Sequence, residues 1–378
     1  MSGIYIHIPF CKKACHYCNF HFSTSLQSKT ALLNAIVKEI TLFSISNKDA
    51  GEPGMVETVY FGGGTPSILE VDEVRLIMDK LREKFRVSPE AEITLEANPD
   101  DINPLRLQDY LASGINRLSV GIQSFSEAEL VWMNRAHKVS DSVRCINEIK
   151  AAGFTNFSVD LIYGSPLLSH EEWRKNVMTV IEKNIPHISC YALTVEPGTA
   201  LEKMITQKKK VPVDPEKQAE QFVMLMDWMQ EAGYEHYEIS NFAKPYLRSL
   251  HNSSYWQGKN YYGFGPSAHS FDGKNRRWNI ENNAIYIKSL EKEVVPFEEE
   301  SLTDIQCLNE YIMISLRTME GLSIEKVNND FGREFAEKLT TRISKYVDNG
   351  KILARGPNLT LTKDGKLFAD GIAADLFF

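Results

Sequence analysis

Ile4-Tyr5-Ile6-His7-Ile8-Pro9-Phe10-Cys11-Lys12-Lys13-Ala14-Cys15-His16-Tyr17-Cys18-Asn19-Phe20 carries an apolar alternation straight into three cysteines. The alternation predicts a strand, and Pro9, which cannot donate to a central ladder, ends it. Cys11, Cys15 and Cys18 therefore fall on the loop leaving that strand. Cysteines this close on a loop can turn their sulfurs onto one inorganic centre. Three thiolates on a four-iron cube leave one iron without a protein ligand, and that open iron is where chemistry can occur. A disulfide does not suit three clustered cysteines with no secretory signal ahead of them. Zinc is the competitor, because His16 or His21 could complete a Cys3His set. Structural zinc sites, however, usually join two short ligand pairs across a longer spacer, and no second pair lies in range. An iron–sulfur cluster is the preferred reading. Cys145, Cys190 and Cys307 stand alone and read as small buried hydrophobes.

The 378 residues can bury a large core and are expected to form one large domain and a smaller one. A hydrophobic content of 43% and a charged content of 24% are ordinary for a soluble globular protein. No apolar stretch reaches the length of a membrane span, and cysteines gathered in one metal-type cluster suit a reducing cytoplasm, so a cytoplasmic location is expected. The net charge of −8 argues against nonspecific nucleic-acid binding. Lys208-Lys209-Lys210, the one dense basic run, reads as a solvated loop.

Beyond the cysteine loop, strand patterns at 56–61, 92–96, 117–122, 157–162 and 187–193 alternate with helical patterns at 31–45, 71–85, 104–112, 127–152 (broken near Val139) and 171–183. Six strands separated by helices predict a parallel sheet with crossover connections. A partial barrel of six units and a doubly wound open sheet both satisfy this pattern, and in both, function gathers at the carboxyl ends of the strands. The cysteine triplet, the run Gly62-Gly63-Gly64-Thr65-Pro66, Glu96, Gln123 and Asp160 all lie at or just past such ends, which predicts one shared rim.

Cys-x3-Cys-x2-Cys after the first strand, with a glycine run after the second, closely resembles the radical S-adenosylmethionine (SAM) superfamily. Tyr5-Ile6-His7-Ile8-Pro9-Phe10-Cys11, Gly62-Gly63-Gly64-Thr65-Pro66 and Asp160-Leu161-Ile162-Tyr163-Gly164 narrow the resemblance to the group that holds oxygen-independent coproporphyrinogen III oxidases and a family of heme chaperones. It runs from Tyr5 to about His269 and continues more weakly over the tail. It implies an α/β fold: a partial (β/α)6 TIM-like barrel over residues 1–240, a connecting segment over 241–300, and a smaller α+β winged-helix-like domain over 301–378.

The resemblance also implies a set of site residues. Cys11, Cys15 and Cys18 would hold a [4Fe–4S] cluster whose fourth iron is chelated by SAM. Tyr5 and Tyr17 match positions lining that site, and Gly63, Gly64 and Thr65 match the segment meeting the methionine moiety. Glycine suits such a role because, without Cβ, its backbone can approach a ligand. Glu96, Gln123, Arg135 and Asp160 match polar contacts to SAM, and Ala192 a backbone contact near the adenine. Reductive cleavage of SAM to a 5′-deoxyadenosyl radical would be cofactor chemistry, with the protein holding the sulfonium and excluding oxygen.

Two departures weigh against the oxidases. They carry a fourth cysteine two positions after the third, where this chain has Phe20, and they carry an N-terminal extension. Phe20 at that position is what the chaperones show, and His251-Asn252-Ser253-Ser254-Tyr255-Trp256 matches the chaperones' His-Asn-x-x-Tyr-Trp motif. An imidazole can ligate heme iron, and Tyr255 and Trp256 offer flat faces to a porphyrin. The same residues read equally as a strand–loop junction. His7, His16, His21 and His269 are alternative ligands, His7 reaching the rim if Tyr5 does not. The expected function is a heme chaperone that binds heme, cluster and SAM and passes heme to acceptor proteins at a membrane face, as a monomer or a homodimer. The alternative is an oxidase that decarboxylates coproporphyrinogen. Whether SAM is cleaved stays open. The glycine-rich stretch Tyr261–His269 reads as turn chemistry or as a close approach to a cofactor. The tail, with its helices and hairpin, reads as a packing or lid module rather than a DNA binder.

Overall fold

A computed structural model describes residues 2–46 and 54–378. Its centre is a run of parallel strands: β1 (Ser2–Ile8), β2 (Val56–Gly63), β3 (Val87–Ala97), β4 (Arg117–Gln123), β5 (Phe157–Tyr163) and β6 (His187–Ala192). They lie side by side in the order 1-2-3-4-5-6. This order decides what the sequence left open. Right-handed crossovers that always step the same way put every helix on one face, whereas a doubly wound sheet reverses direction midway. The result is the partial barrel, with helices outside and a lumen within.

The alternation within each strand sorts residues between those two sides. Ile4, Ile6, Ile8, Val59, Phe61, Leu95, Leu118, Val120, Val159, Leu161 and Ile188 face outward. They share one buried core with Ile36, Ile40, Ile77, Leu81, Leu107, Ile146, Trp173 and Val177 of the crossover helices. The opposite positions point into the lumen and are polar: Tyr5, His7, Thr58, Tyr60, Glu92, Glu96, Arg117, Ser119, Ser158, Asp160 and Ser189. Tyr5 and His7 share that face, their side chains bonded at 3.2 Å, because residues two apart on a strand point the same way. The expectation that one replaces the other at the rim is corrected accordingly.

Six further strands extend the sheet at both edges. Beyond β6 lie β8 (Asn241–Ala243) and then β7 (Glu235–Glu238), both antiparallel. On the other side β9 (Asn260–Phe264) pairs in parallel with β1, followed by antiparallel β10 (His269–Phe271), β11 (Asn275–Asn279) and β12 (Phe297–Ser301). The glycines of the 261–269 stretch serve this packing. A Cβ on Gly263 would stand 2.0 Å from His269 O, and one on Gly265, at φ +102°, would stand 2.6 Å from His7 O.

From 304 onward a second core forms around Leu308, Ile312, Leu339, Ile343, Ile352 and Ile372. Helices Asp304–Leu316, Ile324–Phe331 and Arg333–Asp348 combine with β13 (Leu322–Ser323), β14 (Ile352–Arg355) and β15 (Asn358–Leu361) in the helix–strand–helix–helix–strand–strand order of a winged helix. This domain packs beside the lower end of the barrel: Arg248 donates to Glu320 at 2.7 Å, Met319 N to Tyr237 O at 2.9 Å, and the Arg317 guanidinium lies 5.4 Å from the Trp256 ring. Among the described residues no helix is long and apolar enough to cross a membrane.

Candidate functional site

At the carboxyl ends of β1–β6 a cavity of about 510 Å³ opens. Twelve of the expected residues line it: Cys11, Cys15, Cys18, Tyr17, Gly63, Gly64, Thr65, Glu96, Gln123, Arg135, Asp160 and Ala192. Tyr5 lies below them, its ring stacked on Tyr60. His251, Tyr255 and Trp256 are elsewhere, at the barrel floor.

The cysteine loop is held from several directions. Gly64 N and Thr65 N donate to Ile8 O and Phe10 O at 2.9 and 2.7 Å, so the glycine run is laced to the segment just ahead of Cys11. No larger residue fits at Gly64, where a Cβ would sit 2.6 Å from Phe10 O. Lys12 pairs with Asp100 at 2.8 Å and with Asp101, and Asn134 donates to Ala14 O at 2.6 Å. Lys210 does not simply face solvent. Its ammonium lies 4.0 Å from the Trp132 ring centre and 2.9 Å from His16 Nδ1, clamping the loop between two of the cysteines. Its neighbours in the basic run gave no hint of this, since the partners lie 78 and 194 positions away.

Arg135 sits where the helical pattern of 127–152 breaks, in the turn between helices Glu127–Trp132 and Val139–Ala151. Nη1 reaches Cys15 Sγ at 3.3 Å and the Tyr17 hydroxyl at 3.4 Å, while Nη2 donates to Asn98 Oδ1 and Gly121 O, both at 2.7 Å. Asn98, two residues past Glu96, was not foreseen, although it obeys the same strand-end rule. Gln123 adopts φ +66° just beyond a register shift in the β4–β5 pairing. A non-glycine residue in the left-handed region at the end of a bulged strand is a common device for re-aiming a side chain into a site.

The thiols fit a metal-bound group. Cys11, Cys15 and Cys18 are unpaired and half-buried. Burial pushes the Cys11 thiol up to about 11, against a hydrogen bond from Thr65 that lowers it, so ligation to a metal would be what makes it a thiolate. Among the described residues no three His, Cys, Asp or Glu side chains converge as ligands of a single ion would. The fit rests on three thiols ringing a cavity with room for a larger group. Of the remaining cysteines, Cys145 and Cys190 are buried as expected, whereas Cys307 is half-exposed on its helix.

Two carboxylates face the cavity from the lumen. Burial raises Glu96 to about 8, with the nearby Asp160 adding to the shift, and its oxygens accept from the Tyr60 hydroxyl at 2.8 Å and Gly63 N at 3.2 Å. Burial raises Asp160 to about 6, against hydrogen bonds from Ser189 and Ser119 that lower it. Buried acids with raised pKa values favour a cationic or hydroxyl-bearing ligand that compensates their charge.

The floor is built differently. His251 belongs to a seven-residue helix, Leu250–Trp256, capped by Ser249, and not to a strand–loop junction. Glu92 Oε1 and Oε2 accept the His251 and Leu250 N–H groups at 3.0 Å, and the Ser249 hydroxyl lies 3.3 Å away. The Arg117 guanidinium stands 3.8 Å from Glu92, with both groups buried. His251 is 1% exposed. Its Nδ1 meets the Thr58 hydroxyl at 2.8 Å, its Nε2 meets the Tyr255 hydroxyl at 2.9 Å, and its ring stacks on Tyr60. Burial, with Arg117 nearby, lowers its pKa to about 3, so the ring is neutral. Glu92 and Arg117 were missed in the sequence. The available signal was a charge inside an otherwise apolar strand, which must find a partner across the lumen.

The radical SAM superfamily model matches residues 5–180, and the HemN C-terminal domain model matches 302–368. The heme chaperone HemW of Bacillus subtilis (strain 168) is 31% identical over 98% of both chains. HemW of Mycobacterium tuberculosis (strain H37Rv) is 32% identical over 99% of this chain and 94% of its own. Among solved structures, coproporphyrinogen III oxidase (HemN) from Escherichia coli, described as a radical SAM enzyme, superposes with a TM-score of 0.85 over 99% of this chain and 89% of that one. At 23% identity that likeness speaks for the fold.

Proposed function

The chain belongs to the radical SAM superfamily and, within it, to the HemW family; from that premise we propose that it is a heme chaperone, binding heme, a [4Fe–4S] cluster and SAM and delivering heme to acceptor proteins. The observation carrying the reading is the meeting of the three thiols with Glu96, Asp160, Arg135 and the glycine run around one cavity. Cys11, Cys15 and Cys18 would hold the cluster, which when bound supplies an open iron and an electron. Glu96 would accept an N–H from the SAM amino group, and the nearby sulfonium charge would compensate a carboxylate that burial otherwise disfavours. Asp160 would receive the ribose hydroxyls, Ala192 would border the adenine, and Arg135 would fix Cys15 and Tyr17 relative to Asn98. His251, Tyr255 and Trp256 would serve heme once His251 leaves its seat. Phe20, 67% exposed beside the cysteines, stands where an oxidase would carry a further thiol. Hand-over at a membrane face and pairing of two copies belong to the same reading.

Heme titration of the anaerobically reconstituted protein, run beside a coproporphyrinogen III assay with SAM and a reductant, tests it. Stoichiometric heme binding without turnover is expected, with Cys15→Ala losing the cluster's visible absorption. Catalytic formation of protoporphyrinogen would refute the chaperone function.

A further inference from the structure

The His251 ring and the Glu96 carboxylate belong to opposite ends of the barrel, yet one side chain touches both. Tyr60 projects from β2 into the lumen. Its ring lies on His251, centroids 4.9 Å apart and planes 21° from parallel, and its hydroxyl donates to Glu96 Oε1 at 2.8 Å. The other Glu96 oxygen accepts the Gly63 N–H, so the carboxylate is oriented by Tyr60 on one side and by the glycine run on the other. His251 has no spare ring nitrogen: one meets Thr58 and the other Tyr255. A ligand that takes an imidazole nitrogen must break one of these bonds, and a ring that is 1% exposed must leave the face of Tyr60 to be reached. Heme ligation by His251 would therefore require a second arrangement of the floor, with the ring unseated from Tyr60.

We propose that Tyr60 is a positioning residue shared by the two sites, through which SAM at Glu96 and heme at His251 oppose each other. This rests on the assignments of SAM and heme made above. The sign follows from charge. The sulfonium charge of SAM and an amino N–H donated to Glu96 favour the ionised carboxylate, and a hydrogen bond to an ionised acceptor is stronger than one to a neutral acid. The tightened Tyr60–Glu96 bond holds the face on which His251 rests, so unseating the imidazole costs more with SAM bound. Reciprocity requires heme to weaken SAM by the same factor. Heme capture and SAM binding would then alternate rather than coincide.

The test is a heme titration of cluster-loaded protein, followed by Soret absorbance, with and without saturating SAM, in wild type and in Tyr60→Phe. Phenylalanine keeps the stacking ring and removes only the hydroxyl. SAM is expected to raise the heme Kd about 5-fold or more in wild type, the lower end of ordinary coupling, and less than about twofold in Tyr60→Phe. Equilibrium dialysis of SAM with and without heme should return the same wild-type factor. A wild-type ratio of one, an equal ratio in Tyr60→Phe, or coupling that survives His251→Asn would overturn the proposal. The single-ligand titrations come first. Failure of wild type to bind heme or SAM there overturns the assigned function, and the coupling with it.

Discussion

The two ends of the barrel lumen are made from the same strands and the same alternation, yet they are finished in opposite ways. At the rim, polar groups border open space: thiols free of disulfides, two carboxylates whose pKa values burial has raised, and a glutamine held in the left-handed region. At the floor, polar groups converge on one another. Glu92 is spent on the start of the His251 helix, both His251 nitrogens are bonded, and the winged-helix domain packs beside it. A lumen of polar side chains is therefore not by itself a binding site. Chemistry is poised where polar groups at the strand ends border a cavity, and structure is held where they are buried against one another.

The largest expected effect breaks the floor. Arg117→Leu leaves the buried Glu92 without its countercharge, and removing one partner of a buried pair costs about 3–5 kcal/mol. Urea unfolding measures the loss; a change below 1 kcal/mol would mean that the hydrogen bonds from the helix alone stabilise Glu92. A smaller effect falls on the rim. Gly64→Ala forces a Cβ against the Phe10 and Ile8 backbone, and overpacking of this kind costs about 1–3 kcal/mol. Because that backbone leads into Cys11, iron content and visible absorption after reconstitution should drop more sharply than stability does. Equal iron loading in the variant would uncouple the glycine run from the cysteine loop.

At neutral pH the smallest effect falls on the floor's histidine, whose contribution emerges only on acidification. Burial holds His251 near a pKa of about 3, against an ordinary value of 6.5. Between those values the unfolded chain binds a proton that the folded chain does not, so stability falls as pH drops below about 6.5. The slope approaches about 1.4 kcal/mol per pH unit for such a residue. His7 and His137, each lowered to about 4 by burial, add to the same trend. His251→Asn should flatten the stability profile between pH 6 and 4 by up to about 1.4 kcal/mol per pH unit. An unchanged slope would place the titrating groups elsewhere.

Much of this was legible in the chain itself. The alternation Ile4-Tyr5-Ile6-His7-Ile8 marks a strand with one face for helices and one for the lumen. The cysteine spacing marks a loop that can gather three sulfurs, and the strand–helix rhythm through Cys190 marks parallel crossovers. These are local signals, carried by residues within a few positions of one another. The direction in which the crossovers step is not local, and it alone separates a half-barrel from a doubly wound sheet. The short antiparallel strands β7, β8 and β10–β12 were missed because runs of three to five residues hold too little periodicity to register. Lys210 on Trp132, Arg117 opposite Glu92 and Tyr60 between His251 and Glu96 lie on different elements, so only their meeting in space gives them roles. The sequence by itself determined the cluster loop and the wall of the barrel, because sterics and burial act residue by residue. Which polar groups stay open at the rim and which are closed at the floor was decided by tertiary structure, because satisfying a hydrogen bond depends on what the rest of the chain brings within 3 Å.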